Sequence, residues 1–347
     1  MSLKPLNRSM HIAMNYRCLS GLGSSAVEAD DSRMAVGFYS LASLDLFGVA
    51  SSKPKEKDKK DWVEWIWAQQ LFTPQGTGFR GGDSLALPDP GAETTTSDPA
   101  NLIMTYAAIL TLAILRDDFS RLDKLGIQRF VANCQSSDGS FSPTTAEQVG
   151  DLRILYTAFV ICYLLDDWSA INVPAALEFI QRCRSYEGGY GQSPDQEAHS
   201  GPTYCALAAM TLCPYVDGAG LDPKSRQKTI RWLSMHQTTG FCGRTGKTPD
   251  SCYSFWCGAA LRLLGAEGCV DVDANATFIE QCQFKFGGLA KVPDERPDPL
   301  HSYLSIAAVA LYQPTVGDES WNLQRLEPAL NAEVSTAKWA TEHLRLK

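Results

Sequence analysis

Apolar residues along the chain fall into two kinds of helical segment. One kind, exemplified by WVEWIWAQQ and KTIRWLSMHQ, keeps a polar face, which is typical of a helix that packs on one side only. The other kind, exemplified by LIMTYAAILTLAIL and LRILYTAFVICYLL, is apolar nearly all round, which indicates a buried helix. No sustained apolar-polar alternation predicts a β-strand. The pattern therefore predicts an all-α fold.

The helical segments recur as a repeat. Five of the half-polar segments end in a polar residue that precedes a glycine-aromatic turn, and each turn leads into an apolar helix. These polar residues, called the register residues below, are Gln70, Gln135, Arg184, Gln237 and Gln283, and they lie 46 to 65 residues apart. The segment SRMAVGFYSLASLDLF adds a sixth apolar helix. Six repeats of an outer and an inner helix predict an α-α toroid, because a closed ring needs no capping repeats.

The repeat predicts that residues 1–347 form a single α-α barrel domain, a length that a repeat architecture accommodates in one unit. Four segments lie outside the pattern. Residues 1–31 are expected to be an N-terminal extension and residues 314–347 a C-terminal segment. The charged stretch 51–60 and the Gly-, Pro- and Thr-rich stretch 72–99 are expected to be surface loops.

Charge and cysteine usage narrow the classes of function. A net charge of −8 argues against nucleic acid or an anionic membrane as a general partner, since both need a broad basic surface. The 11 cysteines include no C-x-x-C pair, which indicates reduced, buried thiols and a cytoplasmic protein. The N-terminus has no continuous apolar region, so neither export nor stable membrane insertion is expected.

Chemically active residues occupy equivalent places in four successive repeats. Counted from the register residues, Arg153, His199, Cys252 and His301 each fall at the start of an inner helix. In a toroid these starts lie around one mouth of the ring. Helix N-termini favour anions and thiolates through their unpaired N–H groups, so the mouth is a coherent place for chemistry.

Two of these repeats could build a metal site. Asp250 and Cys252 lie in the first turn of one inner helix, and His301 starts the next. Three mixed O, S and N ligands with a fourth position open are the pattern of catalytic zinc. Structural explanations remain open for each residue: a helix cap for Asp250, a core thiol for Cys252, and packing for His301.

A basic turn adjoins the same helix. The sequence GRTGKTPDSCY places Arg244, Lys247 and Tyr253 beside the candidate metal ligands, and His199 comes from the neighbouring repeat. Two cations, an imidazole and a phenol could stabilise the charge that develops on a diphosphate leaving group. The alternative is a solvated basic turn.

Aromatic residues lie deeper in the inner helices. They are Tyr106, Tyr156, Phe255 and Trp256. Such residues are ordinarily core, and they line a lipid pocket only if the ring is hollow.

Two stretches carry a resemblance to a known family. GRTGKTPDSCYSFWCGAAL and GGLAKVPDERPDPLHSYLSI resemble the zinc and diphosphate motifs of the protein prenyltransferase β-subunits, and the similarity extends from about Ser32 to Tyr312. The resemblance implies a six-repeat α-α barrel that works with a separate helical α-subunit. It also implies transfer of an isoprenoid from its diphosphate to the thiol of a C-terminal C-a-a-X cysteine.

The resemblance also implies roles for individual residues. Asp250, Cys252 and His301 would hold one Zn²⁺, with Lys291 as a further catalytic residue. The remaining roles are diphosphate binding for His199, Arg244, Lys247 and Tyr253, the isoprenoid pocket for Ala35, Tyr106 and Trp256, and the peptide cavity for Arg153.

Two positions favour one branch of the family. Ala35 stands where the farnesyl enzyme has a tryptophan that closes the floor of its lipid pocket, and a small residue there leaves room for a longer chain. Lys291 stands where the farnesyl and Rab-type enzymes carry an aspartate. In the farnesyl enzyme that aspartate helps to bind magnesium. Both positions favour the type I geranylgeranyl branch, which implies a geranylgeranyl diphosphate donor, zinc without magnesium, and substrates such as Rho-type small GTPases. Leu304 departs from this branch, which often has an aromatic residue there.

Other functions are less well supported by the sequence. The farnesyl and Rab-type β-subunits are the alternatives within the family. Toroidal terpene cyclases use a D-x-D-D motif, which does not occur here. A non-catalytic toroid that serves as a binding scaffold would be expected to lose a ligand among Asp250, Cys252 and His301, and all three are present.

Overall fold

The structure is a computed structural model that describes residues 3–22, 29, 31–82, 99–147 and 149–345. The described residues form thirteen α-helices and two small sheets. Six inner helices form the ring interior: α2 (Arg33–Leu46), α4 (Leu102–Ile114), α6 (Leu152–Leu165), α8 (Ser200–Leu212), α10 (Ser251–Leu263) and α12 (Pro299–Leu311). The outer helices are α1 (Arg8–Ser20), α3 (Glu56–Ala68), α5 (Lys124–Asn133), α7 (Val173–Arg182), α9 (Pro223–Ser234) and α11 (Val272–Gln281), and α13 (Val334–Arg345) ends the chain.

The inner helices pack in a closed order. Each contacts the next along the chain, and α12 contacts α2, which completes the ring. Their side chains are buried over most of their length, as expected for helices that are apolar nearly all round. The predicted all-α toroid of six inner and outer helices is confirmed.

The register residues join neighbouring repeats. The side-chain amide of Gln135 donates to the carbonyl of Asn172 at 2.9 Å and accepts from its N–H at 2.7 Å, and Asn172 is the N-cap of α7. Gln237 makes the same pair of bonds with Asp271, the N-cap of α11. Arg184 donates to Ser225 in the first turn of α9. The repeated polar residue therefore fixes the position of the next outer helix.

The same contact closes the ring at α1. Gln283 Oε1 accepts from the N–H of Asn7, which is the residue before α1. His11 of α1 is fully buried, its Nδ1 accepts from the N–H of Gly288, and its Nε2 lies 3.0 Å from Gln283 Oε1. Within residues 1–31, expected to be an extension, the structure therefore uses 8–20 as the sixth outer helix.

A short backbone pairing follows each register residue. The partners of the five register residues in these pairings are Phe79, Phe141, Tyr190, Phe241 and Leu289, and all five are fully buried. In the first repeat the pairing widens into a hairpin of β1 (Gln70–Thr73) and β2 (Gly76–Phe79). These strands are too short for a period of two to be visible in the sequence.

The predicted surface loops correspond only in part to the structure. Residues 72–79 of the stretch 72–99 belong to the hairpin, and β2 is buried, whereas residues 83–98 lie outside the described residues. Residues 56–60 of the stretch 51–60 form the first turns of α3, where Glu56 and Asp58 suit the helix N-terminus.

The inner helices all begin at the same end of the ring. In five inner helices the N–H of the first residue, or of the second residue in α2, donates to a backbone carbonyl in the turn of the next repeat. These bonds are Met34 to Gly81, Leu102 to Pro143, Leu152 to Gln192, Ser200 to Gly243, and Ser251 to Lys291. They satisfy N–H groups that have no partner within the helix, and they bring the helix starts together at one mouth.

The C-terminal segment covers the opposite end. Strands β3 (Leu326–Glu327) and β4 (Ala332–Glu333) form a second hairpin, and α13 packs on α4 and α6. All 11 cysteines are free, and nine of them are buried. No helix among the described residues has the length and apolarity needed to cross a membrane.

Candidate metal and diphosphate site

Three candidate metal ligands converge at the mouth. Asp250, Cys252 and His301 each offer one ligand atom, and these atoms lie within 4.8 Å of one another. Asp250 and Cys252 are each 6% exposed, and His301 is half-buried. Because α10 and α12 are neighbours in the ring, residues 49 positions apart in the sequence meet here. An O, S and N donor set fits a divalent metal such as zinc.

Asp250 combines two tasks. It is the N-cap of α10, where its Oδ1 accepts from the N–H of Cys252 at 2.9 Å. The same oxygen lies 3.5 Å from His301 Nε2. In this one conformation Asp250 can therefore serve both as the cap of α10 and as a metal ligand.

Asp298 orients the histidine. Its Oδ1 caps α12 by accepting from the N–H of His301 at 2.8 Å, and its Oδ2 accepts from Nδ1 of the same residue at 2.6 Å. This arrangement leaves Nε2 facing Asp250 and Cys252. A carboxylate that fixes the tautomer of a ligand histidine is a common companion of metal sites. In the sequence, an aspartate directly before Pro299 is a pattern typical of a helix cap, which by itself does not predict the second contact.

The carboxylates of Asp250 and Asp298 shift the pKa values of the candidate metal ligands. Burial by itself lowers the pKa of His301, but its bonds to Asp250 and Asp298 outweigh burial and raise it to about 9. Burial and the neighbouring Asp250 raise the pKa of the Cys252 thiol well above its usual range. Burial opposes ionisation of Asp250, yet hydrogen bonds from His301 and Cys252 hold its pKa below the ordinary value. The group is an anionic pocket that favours a bound cation.

His199 and Tyr253 form a pair beside the candidate ligands. His199 is the N-cap of α8, and its Nδ1 accepts from the N–H of Gly201 at 3.1 Å. Its Nε2 lies 3.2 Å from the hydroxyl of Tyr253. Burial and the nearby Arg244 lower the pKa of His199, so the ring is neutral and carries its proton on Nε2. Nε2–H therefore donates to Tyr253, which leaves the phenol proton free for another acceptor.

The basic turn lies against this pair. Arg244 is half-buried and pairs with Glu197 at 3.1 Å, a partner that the sequence did not suggest, and Lys247 is exposed. The turn approaches closely because Gly243 has no side chain. A Cβ at this position would lie 2.2 Å from the ring of Tyr253.

Lys291 lies in the turn between α11 and α12, beside the first residue of α10. Its carbonyl accepts from the N–H of Ser251 at 2.9 Å, and its side chain is exposed. The backbone of Lys291 is thus hydrogen-bonded to Ser251, the residue that follows Asp250. The backbone of Lys291 therefore adjoins the helix that carries Asp250 and Cys252.

Arg153 lies on α6, two inner helices away from α10 in the ring. It lies in the first turn of α6, with its guanidinium 2.7 Å from Asp151, and its side chain is 55% exposed. Gln192 also donates to Asp151, at 2.8 Å. Arg153 therefore lines the mouth as an ion pair with Asp151, which the sequence did not suggest as its partner.

The predicted isoprenoid-pocket residues lie on three inner helices. Ala35 on α2 and Trp256 on α10 are partly exposed. Tyr106 on α4 is buried, and its hydroxyl donates to the carbonyl of Leu330 at 3.2 Å. Ala35 and Trp256 thus keep some exposed surface, whereas Tyr106 is buried against the C-terminal hairpin.

The sequence matches the family model of the prenyltransferase alpha-alpha toroid domain over residues 6–332. The chain belongs to this family. The predicted resemblance to the type I geranylgeranyl β-subunits is also confirmed. The geranylgeranyl transferase type-1 subunit beta of Dictyostelium discoideum is 37% identical over 312 residues, which are 85% of this chain and 87% of that protein. The protein of the same description from Arabidopsis thaliana is 32% identical over 301 residues, 81% of this chain and 78% of that protein.

The chain is also similar to a relative from another branch of the family and to solved structures. The farnesyltransferase subunit beta of Schizosaccharomyces pombe is 28% identical over 316 residues, 85% of this chain and 75% of that protein. Candida albicans protein geranylgeranyltransferase-I, solved in complex with GGPP, superimposes with a TM-score of 0.85 at 26% identity over 98% of this chain and 100% of that chain. A type II terpene cyclase from Scytonema, with a TM-score of 0.53 at 11% identity over 87% of this chain and 97% of that chain, shares the fold alone.

Proposed function

We propose that this chain is the catalytic β-subunit of a protein geranylgeranyltransferase type I, which transfers a geranylgeranyl group from its diphosphate to the cysteine thiol of C-terminal C-a-a-X proteins. The observation that carries the proposal is the convergence of Asp250, Cys252 and His301 at the mouth of the ring. The similarity to type-1 β-subunits over most of the chain supports it.

In this proposal Asp250 Oδ, Cys252 Sγ and His301 Nε2 hold one zinc ion. When bound there, zinc supplies a cysteine thiolate at neutral pH by lowering the pKa of the substrate thiol. Asp298 keeps Nε2 of His301 turned towards the other two ligands. The half-buried setting limits competing water, which strengthens the electrostatic interactions at the site.

Departure of the diphosphate is assisted by residues of three repeats. The thiol proton passes to solvent before the transfer. A carbon-sulfur bond then forms at C1 of the isoprenoid, the bond from C1 to the diphosphate oxygen breaks, and the diphosphate leaves with the electron pair of that bond. Arg244, Lys247 and Lys291 offset the charge that grows on the leaving group, and Tyr253 donates its free hydroxyl proton. His199 supports this bond by holding Tyr253.

Lys291 accounts for the proposed absence of a magnesium requirement. An ammonium beside the diphosphate supplies positive charge that a magnesium ion would otherwise bring. Such a group needs no carboxylate to hold it. The enzyme is therefore proposed to need zinc alone.

The ring interior is proposed to hold the isoprenoid. Ala35, Trp256 and Tyr106 would contact the hydrocarbon, and the small side chain of Ala35 leaves room for a 20-carbon donor. Each buried CH₂ contributes about 0.8 kcal/mol, so five additional carbons matter to affinity when space exists. Arg153 at the mouth is proposed to lie beside the peptide.

The remaining partners follow from the same proposal. The chain would act as a heterodimer with a prenyltransferase α-subunit in the cytoplasm. Its substrates would be C-a-a-X proteins such as Rho-type small GTPases. The net charge of −8 offers no broad surface for nucleic acid.

The proposal is tested by transfer assays on the chain co-expressed with its α-subunit. A C-a-a-Leu peptide is offered with geranylgeranyl or farnesyl diphosphate, with zinc and without magnesium. We expect geranylgeranyl transfer that is lost in Cys252→Ala. Cys257→Ala is the matched control, because this fully buried cysteine lies on the same helix outside the ligand group.

The outcomes separate the alternatives. Magnesium-dependent farnesyl transfer would refute the type I assignment and keep the family. Zinc binding without transfer from either donor would indicate a Rab-type subunit or a binding scaffold. Equal loss of activity in both cysteine variants would remove the evidence for a ligand role of Cys252.

A further inference from the structure

The turn between α11 and α12 braces the helix that carries two of the candidate metal ligands. We call residues 283–298 the ligand turn. The carbonyl of Ala290 accepts from the hydroxyl of Ser251 at 2.8 Å, and the carbonyl of Lys291 accepts from the N–H of the same serine at 2.9 Å. Ser251 is fully buried and lies between the two ligands of α10 in the sequence. The position of the ligand turn therefore sets the position of the first turn of α10.

The ligand turn also leads into the third candidate ligand. It ends at Asp298, whose carboxylate caps α12 and orients His301. The next residue on α12, Ser302, is fully buried, and its hydroxyl accepts from the N–H of Leu289 in the turn at 2.9 Å. The ligand turn thus bonds to a residue adjacent to each of the three candidate ligands. A shift of this turn would change the distances among all three.

Helix α1 holds the ligand turn from outside, at two consecutive glycines. Gly287 and Gly288 take positive φ angles of 92° and 89°, which glycine adopts without strain. A Cβ on Gly287 would lie 2.0 Å from the carbonyl oxygen of Met10 on α1, so the two backbones are in close contact. The N–H of Gly288 donates to Nδ1 of His11 at 2.9 Å. A Cβ on Gly288 would lie 2.7 Å from Pro297, so the glycine that His11 holds packs on the far end of the ligand turn.

Both ring nitrogens of His11 are used in this contact. Because Nδ1 accepts from Gly288, the proton of the neutral ring lies on Nε2, which donates to Gln283 Oε1 at 3.0 Å. His11 is fully buried, and burial lowers its pKa although the bond to Gln283 opposes that effect. A neutral ring is the form that can accept from a backbone N–H. His11 therefore joins α1 to the first residue and to the middle of the ligand turn.

A second repeat shows the same contact away from the metal ligands. Counted from the register residues, Gly188 corresponds to Gly287. A Cβ on Gly188 would lie 2.9 Å from the carbonyl oxygen of Lys228 on α9, and the buried hydroxyl of Thr229 donates to the carbonyl of Gly188 at 2.7 Å. That turn leads into His199, the cap of α8, which is not one of the three candidate ligands. The two turns therefore separate a general effect of outer-helix packing from an effect on the metal site.

We propose that His11 is a positioning residue for the metal site: by holding Gly288 it fixes the ligand turn, and through that turn the arrangement of the three candidate ligands. The identity of the metal as zinc rests on the proposed function. His11 acts through the backbone of the ligand turn and does not bind the ion. The N-terminal helix thereby contributes to metal retention as well as to closure of the ring.

The test compares loss of the bond with its rescue. His11→Phe keeps a ring of similar size that cannot accept from Gly288, whereas the amide oxygen of His11→Asn stands close to the place of Nδ1 and can accept again. Thr229→Val is the matched control, because it removes the bond to Gly188 in the other repeat. Each variant is purified with its α-subunit and stripped of metal. Zinc dissociation constants are measured by competition with a chelator of known affinity, and hydrogen exchange is followed in the ligand turn.

We expect His11→Phe to bind zinc about tenfold more weakly than wild type and to exchange faster in the ligand turn. His11→Asn should return zinc affinity to within about threefold of wild type, and Thr229→Val should change it less than about twofold. Equal zinc affinity in wild type and His11→Phe overturns the proposal. A loss that His11→Asn does not restore, or an equal loss in Thr229→Val, also overturns it, because general loosening of an outer helix would then be the cause.

Zinc binding and transfer distinguish this inference from the proposed function. A wild-type complex that binds no zinc contradicts the proposed function, and exchange in the metal-free ligand turn then decides the inference. Faster exchange in His11→Phe that is reversed in His11→Asn supports the positioning role, whereas equal exchange in both variants and wild type overturns it. Normal geranylgeranyl transfer by wild type together with unchanged zinc affinity in His11→Phe contradicts the inference alone.

Discussion

Asp298 Oδ2 lies 2.6 Å from Nδ1 of His301, and this contact determines which ring nitrogen is available to a metal. The carboxylate accepts the Nδ1 proton, so Nε2 keeps its lone pair once the ring is neutral. Nε2 is also the nitrogen that faces Asp250 at 3.5 Å. A helix cap at the start of α12 therefore acts as a positioning residue for a ligand on the same helix.

Replacement of this carboxylate should weaken metal binding while the helix remains capped. In Asp298→Asn the amide oxygen can still accept from the N–H of His301, but the negative charge behind Nδ1 is lost. We expect zinc affinity to fall about 10- to 100-fold, measured by competition with a chelator of known affinity. Asp294→Asn, an exposed carboxylate on the same loop, is the control and should leave affinity unchanged. Equal affinity in wild type and Asp298→Asn would show that the contact is only a cap.

Zinc binding should release protons. Burial lowers the pKa of His301, but Asp250 and Asp298 overcome that effect and raise it to about 9. The pKa of Cys252 is raised by burial and by Asp250. Both groups are protonated at pH 7 in the metal-free chain, and both must lose a proton to bind zinc. Apparent zinc affinity should therefore rise with pH between about 6 and 9, with about two protons released per zinc ion at neutral pH.

Titration calorimetry in two buffers of different ionisation enthalpy measures the proton count directly. Cys252→Ala should reduce the number of released protons by one, since one titrating ligand is gone. A wild-type zinc affinity that does not change with pH would contradict the assignment of these two residues as ligands.

His199 donates a hydrogen bond to Tyr253, so replacing His199 should affect substrate binding through Tyr253. Asparagine at position 199 can still accept from the N–H of Gly201, so it keeps the cap of α8 but loses the donor to Tyr253. We expect His199→Asn to raise the KM for the isoprenoid diphosphate several-fold, with the free energy of unfolding changed by less than about 1 kcal/mol. Steady-state kinetics and urea unfolding measure the two effects.

A double-mutant cycle tests whether His199 acts through Tyr253. Tyr253→Phe should also raise KM, and adding His199→Asn to it should have little further effect. Additive effects of the two substitutions would mean that His199 contacts the diphosphate independently.

Much of the fold is visible in the sequence because the repeat displays it several times. The register residues follow from their spacing, and the structure gives them a physical role as bonds to the next outer helix. The site positions follow from the same count, because equivalent residues of the repeat lie at equivalent heights. His199 and Cys252 could therefore be placed at one mouth before any contact was known.

The parts that the sequence did not reveal depend on long-range partners. Helix α1 has little amphipathic pattern, and it is fixed by polar contacts of Asn7 and His11 with residues more than 270 positions away. In apolar stretches such as LRILYTAFVICYLL, one tyrosine hydroxyl is invisible as a signal, yet the hydroxyl of Tyr156 donates to the backbone carbonyl of Ala329 in the C-terminal segment. The second role of Asp298 was hidden because a cap needs only one carboxylate oxygen.

The register bonds predict a measurable contribution to stability. Gln237→Ala removes two hydrogen bonds to the backbone of Asp271, at 2.7 and 2.9 Å. The freed groups lie near the surface and can bind water, so we expect a loss of about 1 to 2 kcal/mol in the free energy of unfolding. Gln181→Ala, at an exposed position of α7, should cost less than about 0.5 kcal/mol. Similar costs for both variants in urea unfolding would contradict the role of the register residue.

Ala35 offers a test of the space proposed for the hydrocarbon chain. It is partly exposed on α2, and a larger side chain there would fill space beside it. Ala35→Trp should lower affinity for the 20-carbon diphosphate by at least about tenfold more than for the 15-carbon one, because the longer chain loses more buried carbon. Ala68→Trp, at an exposed position of the outer helix α3, should leave the ratio unchanged.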